Sequence, residues 1–187
     1  MSKQYKYGRR RFLGAAAMTV AAGPLFMIGS AEAHPVEVKP ADTSLERPRT
    51  HASFDTINQI DAGVLNIGYA EVGPPTGPVV ILLHGWPYDI NSYADVSGLL
   101  AKKGYRVIVP HLRGYGTTRF LSAQTPRNGQ QSALAVDIIA LMDALKIQKA
   151  IIGGFNWGAR TANIIAALWP ERCTALVSVS GYLIGSQ

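Results

Sequence analysis

Residues 153–160 read "GGFNWGAR", and the reading of this stretch decides the rest of the chain. It follows the apolar run "KAIIGG" (149–154) and leads into "TANIIAALWP" (161–170). The order Gly154-Phe155-Asn156-Trp157-Gly158 has the form G-x-Nuc-x-G. That form belongs to a strand-to-helix bend in which two glycines avoid Cβ clashes and the middle side chain is lifted above a sheet. Residue 156 then stands at a helix N-terminus, where the dipole and free N–H groups favour developing negative charge. The residue there is asparagine, a neutral amide and a poor nucleophile.

Outward from this bend, strands and helices alternate. "TINQID" (56–61) and "LNIGYAEV" (65–72) flank Asp61-Ala62-Gly63, a hairpin signal. "GPVVILLHG" (77–85), "YRVIVP" (105–110), "KAIIGG" and "CTALVSVSG" (173–181) are continuous apolar runs, the mark of strands covered on both faces. "NSYADVSGLLAKKG" (91–104) places Tyr93, Val96, Leu99 and Leu100 on one helical face and stops at Gly104. "GYGTTRFLSAQTPRNGQQ" (114–131) reads as a loop. Leu134, Ile138, Leu141 and Leu145 then recur at helical spacing, as do Ala162, Ile165, Ala166 and Trp169 before Pro170. A hairpin followed by alternating strands and helices predicts an α/β fold, a mainly parallel sheet with helices on both faces.

The chain has 187 residues, 48% hydrophobic and 16% charged, enough to bury one sizeable core. Its net charge is +6, but Lys3, Lys6, Arg9, Arg10, Arg11 and Glu32 place +4 of it in residues 1–33. The remainder is too weakly basic for nucleic acid, and no basic stripe with interleaved aromatics is present. Residues 1–33 have the layout of a cleaved export signal. "GRRRFLG" sets paired arginines before a Gly-broken apolar stretch, and "AEA" (31–33) supplies a small-residue cleavage site. The segment resembles a bacterial twin-arginine signal peptide, which predicts a mature chain from His34, a periplasmic or secreted destination and no lasting membrane anchor. Residues 34–55, Pro-rich and polar, read as a flexible arm, and 56–187 as the core domain. Lone Cys173 cannot close an internal disulfide and reads as a small core residue.

Three Gly-bearing loops fall at the carboxyl ends of the predicted strands, where open α/β sheets bind ligands: "HGWP" (84–87), "HLRGYG" (111–116) and "GFNWG" (154–158). Together these resemble the α/β-hydrolase family, in its branch of epoxide hydrolases and haloalkane dehalogenases. "HGWP" is similar to that branch's H-G-x-P loop, "HLRGYG" to its D-x-R-G-x-G loop, and "GGFNWGAR" to its D-W-G nucleophile turn. The resemblance runs from about Ile57 to Leu183. It implies that a carboxylate at position 156 attacks an epoxide, haloalkane or ester carbon, and that a His-activated water hydrolyses the resulting ester. It implies an oxyanion hole from the backbone N–H groups of Trp86 and Trp157, whose indoles also meet substrate. His84, Gly85, Pro87, Arg113, Gly154 and Gly158 are then loop-structural, and His111, where the branch carries Asp, braces a loop or lies exposed. No cofactor is implied, and the four histidines and one cysteine lack metal-ligand spacing.

Two departures qualify the chemistry. Asn156 replaces the expected aspartate, through an inactivating substitution, slow conversion of the amide to a carboxylate, or use of the site for binding without turnover. The first is the reading adopted. The family's late acid and histidine are also missing: no histidine follows His111, and the only carboxylate after Asn156 is Glu171. By the resemblance, a lid, two further strands and a last helix are not represented, leaving "TALVSVS" as an apolar edge. The expectation is an inactive, incomplete hydrolase core or binding module, completed by another polypeptide segment or by a second copy.

Overall fold

The computed structural model describes residues 53–182. The signal reading and all of the arm before residue 53 lie outside them. Strands β1 (Asn58–Ala62) and β2 (Leu65–Val72) form the hairpin, with Ala62 opposite Leu65. The turn therefore falls on Gly63-Val64, with Gly63 at φ 57°, one step later than the sequence signal. Asp61 belongs to the strand and accepts a 2.6 Å hydrogen bond from Asn66 Nδ2.

Strands β3 (Val79–Leu83), β4 (Arg106–Pro110), β6 (Ala150–Phe155) and β7 (Cys173–Val179) pair in parallel, giving the order β1-β2-β4-β3-β6-β7. A two-residue strand β5 (Arg119–Phe120) pairs with β2 inside the segment read as loop; it is too short and too polar to leave a periodic signal.

Alternation along each strand splits the core in two. Ile81, Leu83, Ile108 and Ile152 join one cluster with Leu134, Ile138, Leu141 and Met142 of helix α2 (Gln131–Ala144) and Ala162 and Ile165 of helix α3 (Trp157–Leu168). Val80, Leu82, Val107 and Val109 join the other, with Ile90, Tyr93 and Leu100 from the 3-10 turn Ile90–Tyr93 and helix α1 (Ala94–Lys102). Both faces are thus occupied, which is why the strands read as unbroken apolar runs. Phe54, assigned to the arm, packs on the second cluster.

Two readings need correction. Leu99 does not face the sheet and is 64% exposed, Val96 is 43% exposed because it only borders an open groove there, and the fully buried residue of α1 is Ser97. Cys173 is only partly buried, because its strand is an edge among the described residues and lacks cover on one side.

Candidate functional site

Strands β3, β4 and β6 end side by side, and their carboxyl ends carry His84-Gly85-Trp86-Pro87, His111 and Asn156. Asn156 is the pivot from β6 to α3, with φ 54° and ψ −115°. This positive-φ conformation lies outside the left-handed helical region and costs a non-glycine residue about 1–3 kcal/mol, so the surroundings must hold it. Its backbone is held on both sides: Asn156 N–H donates to Val179 O at 2.9 Å, and its carbonyl accepts from Arg160 N–H at 3.1 Å.

The glycines allow the close approaches that make the bend. A Cβ on Gly154 would lie 2.4 Å from the Gly158 carbonyl carbon, and one on Gly158 would lie 1.9 Å from Leu83 O. A Cβ on Gly85 would meet Asn156 Cβ at 2.7 Å. Loop 84–87 can therefore lie against residue 156. Across that gap Trp86 N–H donates to Asn156 Oδ1 at 3.2 Å. Trp157 N–H, the first of α3, has no carbonyl one turn back within the helix to receive it.

His84 is fully buried. Its Nε2 accepts from Leu112 N–H at 3.2 Å, so Nδ1 carries the proton and donates to Gly85 O, also 3.2 Å away. Burial lowers the pKa of this ring from its usual value and keeps it neutral. With its lone pair occupied by Leu112 N–H, His84 joins the β3 and β4 loops and is not free to take a proton. Arg113 grips Asp137 of α2 through two bonds of 2.6 Å and donates a third, also 2.6 Å, to Asn128 O. It ties the loop after β4 to the start of α2. Burial raises the Asp137 pKa, while these Arg113 bonds pull it back.

His111 departs from the expectation. It is only 8% exposed, and its Nδ1 finds no partner among the described residues, so it braces nothing through that nitrogen. The ring instead packs against Gly116, where a Cβ would stand 2.3 Å away.

Trp86, 65% exposed, and Trp157 line one cavity of about 370 Å³ together with Gly85, Leu112, Arg113, Tyr115, Gly129 and Leu134. Its wall is mostly apolar, and its one charged residue, Arg113, is neutralised by Asp137. Leu112 and Tyr115 escaped the sequence reading because they sit inside a motif noticed for its glycines. Leu134 matched a core periodicity equally well. Among the described residues no cluster of His, Cys, Asp and Glu could hold a metal ion.

Chemically, the arrangement offers a side-chain oxygen that accepts one peptide donor and has a second at the adjacent helix start, flanked by Gly85, Trp86 and Trp157 of an apolar cavity. The α/β-hydrolase fold family model matches residues 78–186. Over 121 residues the chain is 37% identical to epoxide hydrolase 3 of Siraitia grosvenorii, covering 65% of this chain and 37% of the relative. It is 35% identical over 104 residues to epoxide hydrolase B of Mycobacterium tuberculosis, covering 56% of this chain and 29% of that one. A crystal structure of a Klebsiella pneumoniae protein classed with the epoxide hydrolases superposes with a TM-score of 0.69 at 69% identity, over 73% of this chain and 45% of the other. Potato epoxide hydrolase I gives 0.60 at 30% identity, over 66% and 39%. The chain spans less than half the length of each of these relatives.

Proposed function

The chain belongs to the α/β-hydrolase fold family, on its epoxide hydrolase-like side, and from that premise we propose that its cavity receives a small electrophile, an epoxide, haloalkane or ester, at position 156. The observation that carries the reading is the 3.2 Å bond from Trp86 N–H to Asn156 Oδ1. An oxyanion hole serving an ester made on the enzyme's own side chain must face that side chain. When water attacks Cγ of such an ester, negative charge develops on the residue's own Oδ. A donor already aimed at Oδ1 suits that step.

With aspartate at 156, one carboxylate oxygen attacks the ring carbon of an epoxide. The carbon–oxygen bond of the ring breaks, and the released alkoxide takes a proton from water. Water then adds to Cγ, the oxyanion is held by Trp86 and Trp157 N–H, and collapse releases a diol and the carboxylate. Asparagine has no charge to drive the first step, and loss of a nucleophile costs on the order of 10⁴–10⁶-fold in rate. The second step needs a base for the water. Of the histidines among the described residues, His84 has its lone pair occupied, and His111, its ring packed against Gly116, does not line the cavity.

With asparagine at position 156 the site is therefore read as one that binds its electrophile without turning it over. The test is intact mass after exposure to styrene oxide. Asn156→Asp is expected to gain one covalent equivalent that accumulates, and the unsubstituted chain none. Turnover by the unsubstituted chain, or no adduct on Asn156→Asp, overturns the proposal. If the unsubstituted chain reacts after its mass rises by about that of amide-to-acid conversion, Asn156 is converted rather than silent. Export through the twin-arginine route belongs to the same proposal, and a mature N-terminus other than His34 would count against it.

A further inference from the structure

Asn128-Gly129 is the one Asn-Gly pair in the 187-residue chain, and it falls in an exposed loop just before α2. An asparagine carries a nucleophile in its own backbone, the nitrogen of the next residue, which closes a five-membered ring on the side-chain amide carbon. Glycine exposes that nitrogen most, because it has no Cβ beside it. At Gly129 even an added Cβ would find nothing within 4 Å. No hydrogen bond ties the Gly129 N–H among the described residues.

The fold places a donor at each point where negative charge develops in that reaction. Loss of the Gly129 proton leaves an amidate that shares its charge with Asn128 O, and Arg113 Nη1 donates to that oxygen at 2.6 Å. Asp137 draws on the Nε and Nη2 side of the same guanidinium, which leaves Nη1 to Asn128 O. A charged donor on the oxygen favours the deprotonated peptide. Attack on Asn128 Cγ then moves charge onto Oδ1, which accepts Gln130 N–H at 2.8 Å. Asn91-Ser92 has the opposite arrangement. There Ser92 N–H donates to Asp89 O and Asn91 Nδ2 to Asp89 Oδ2, both at 3.2 Å, beside a carboxylate that opposes an amidate.

From this contrast we propose that Asn128 is a self-modification site that converts to aspartate and isoaspartate through a succinimide. Gly129 N bonds to Asn128 Cγ, the Cγ–Nδ2 bond breaks, and the amide nitrogen leaves as ammonia with the proton that Gly129 lost. One water then opens the ring. Opening at Cγ gives aspartate, and opening at the main-chain carbonyl carbon gives isoaspartate, with the chain running through the former side chain. Either product adds a carboxylate to a cavity of about 270 Å³ that Asn128 lines with Arg113 and Arg127. Arg127 makes no ion pair among the described residues; it stacks 3.9 Å from the Phe120 ring centroid and donates to carbonyls at 3.3 and 3.4 Å. Helix α2 has no acid in its first turn, so negative charge just ahead of it is favourable too. Gly129 lines this cavity and the 370 Å³ one alike, so the modification alters the rim of the candidate site. It does not depend on the hydrolase reading.

The experiment incubates the full chain at mildly alkaline pH, folded and in urea, and maps tryptic peptides by mass over time. Asn128 and Asn156 fall in different peptides, 128–146 and 150–160, so conversion at one is not mistaken for conversion at the other. Peptide 128–146 should be the first to gain the mass of amide-to-acid conversion, in two chromatographic forms, one of them labelled by a protein isoaspartyl methyltransferase. The folded chain should convert at least as fast as the unfolded one. Gly129→Ala, whose Cβ enters open space, should keep the fold and slow conversion at least about tenfold, the ratio that about 1.4 kcal/mol of added barrier produces. No gain in peptide 128–146, protection of Asn128 by folding, or Gly129→Ala converting at the unsubstituted rate overturns the proposal.

Discussion

Glycines 98 and 158 both sit within helices, yet they should respond oppositely to the same substitution. A Cβ on Gly158 would press 1.9 Å from Leu83 O and 2.8 Å from His84 O, both backbone atoms that cannot rotate away. Gly158→Ala must push α3 off β3, at a cost of about 3 kcal/mol or more. A Cβ on Gly98 meets nothing within 4 Å, so Gly98→Ala should stabilise α1 by about 0.5–1 kcal/mol through reduced unfolded-chain entropy. Urea midpoints of the two variants check this, and a neutral Gly158→Ala would mean that α3 does not rest on β3 this closely. The same pair marks what sequence can reveal at this scale. The spacing of Gly154 and Gly158 about Asn156 exposes the bend, because only one local geometry needs two glycines so placed. Arg160 lies in the same eight-residue stretch, and nothing local marks its buried Nε, unpartnered among the described residues. Whether an arginine lacks a partner depends on distant residues such as Tyr182, and no local pattern encodes it.

At the scale of elements, strands buried on both faces were legible and faces left open were not. β3 and β4 announce themselves because their side chains, Val79 and Arg106 at the two starts aside, are buried. Helix α1 misled, since Val96 has the right spacing to face inward but instead lines an apolar groove of about 290 Å³ with Tyr93, Leu100, Val177 and Val179. That groove exists because β7 ends the sheet among the described residues, leaving Val177 and Val179 56% and 53% exposed. An apolar edge with unpaired backbone groups invites pairing between copies. Val177→Lys should therefore reduce self-association, seen as a lower weight-average mass in sedimentation at equal concentration. Its long stem can lie along the groove with the ammonium in water, so stability should change by no more than about 0.5 kcal/mol. Unaltered association would show that this edge is not where copies meet.

For the molecule as a whole, the fold class followed from the order of its apolar runs, whereas its acid response depends on two rings whose burial the sequence did not disclose. His84 and His111 lie at the ends of β3 and β4, 0% and 8% exposed. Burial is the main cause that lowers both below their ordinary value of 6.5; Asp89 opposes it at each ring, and Arg119 reinforces it at His111. Unfolding returns each ring to about 6.5. Below that pH the unfolded chain binds protons that the folded chain refuses. The stability these rings permit is thus complete above about pH 6.5 and is lost as pH falls toward their folded values. Each ring contributes at most about 1.4 kcal/mol per pH unit in that window. Asp137, raised by burial, acts in the opposite sense: its share is present below the ordinary carboxylate range and lost as pH rises through its folded value. Denaturant midpoints should accordingly drop between about pH 7 and pH 5. His111→Leu should roughly halve the slope and, by removing the unpartnered Nδ1, raise the plateau near neutrality by about 1 kcal/mol. A midpoint that is flat or rises on acidification would mean that both rings already reach solvent protons in the folded state.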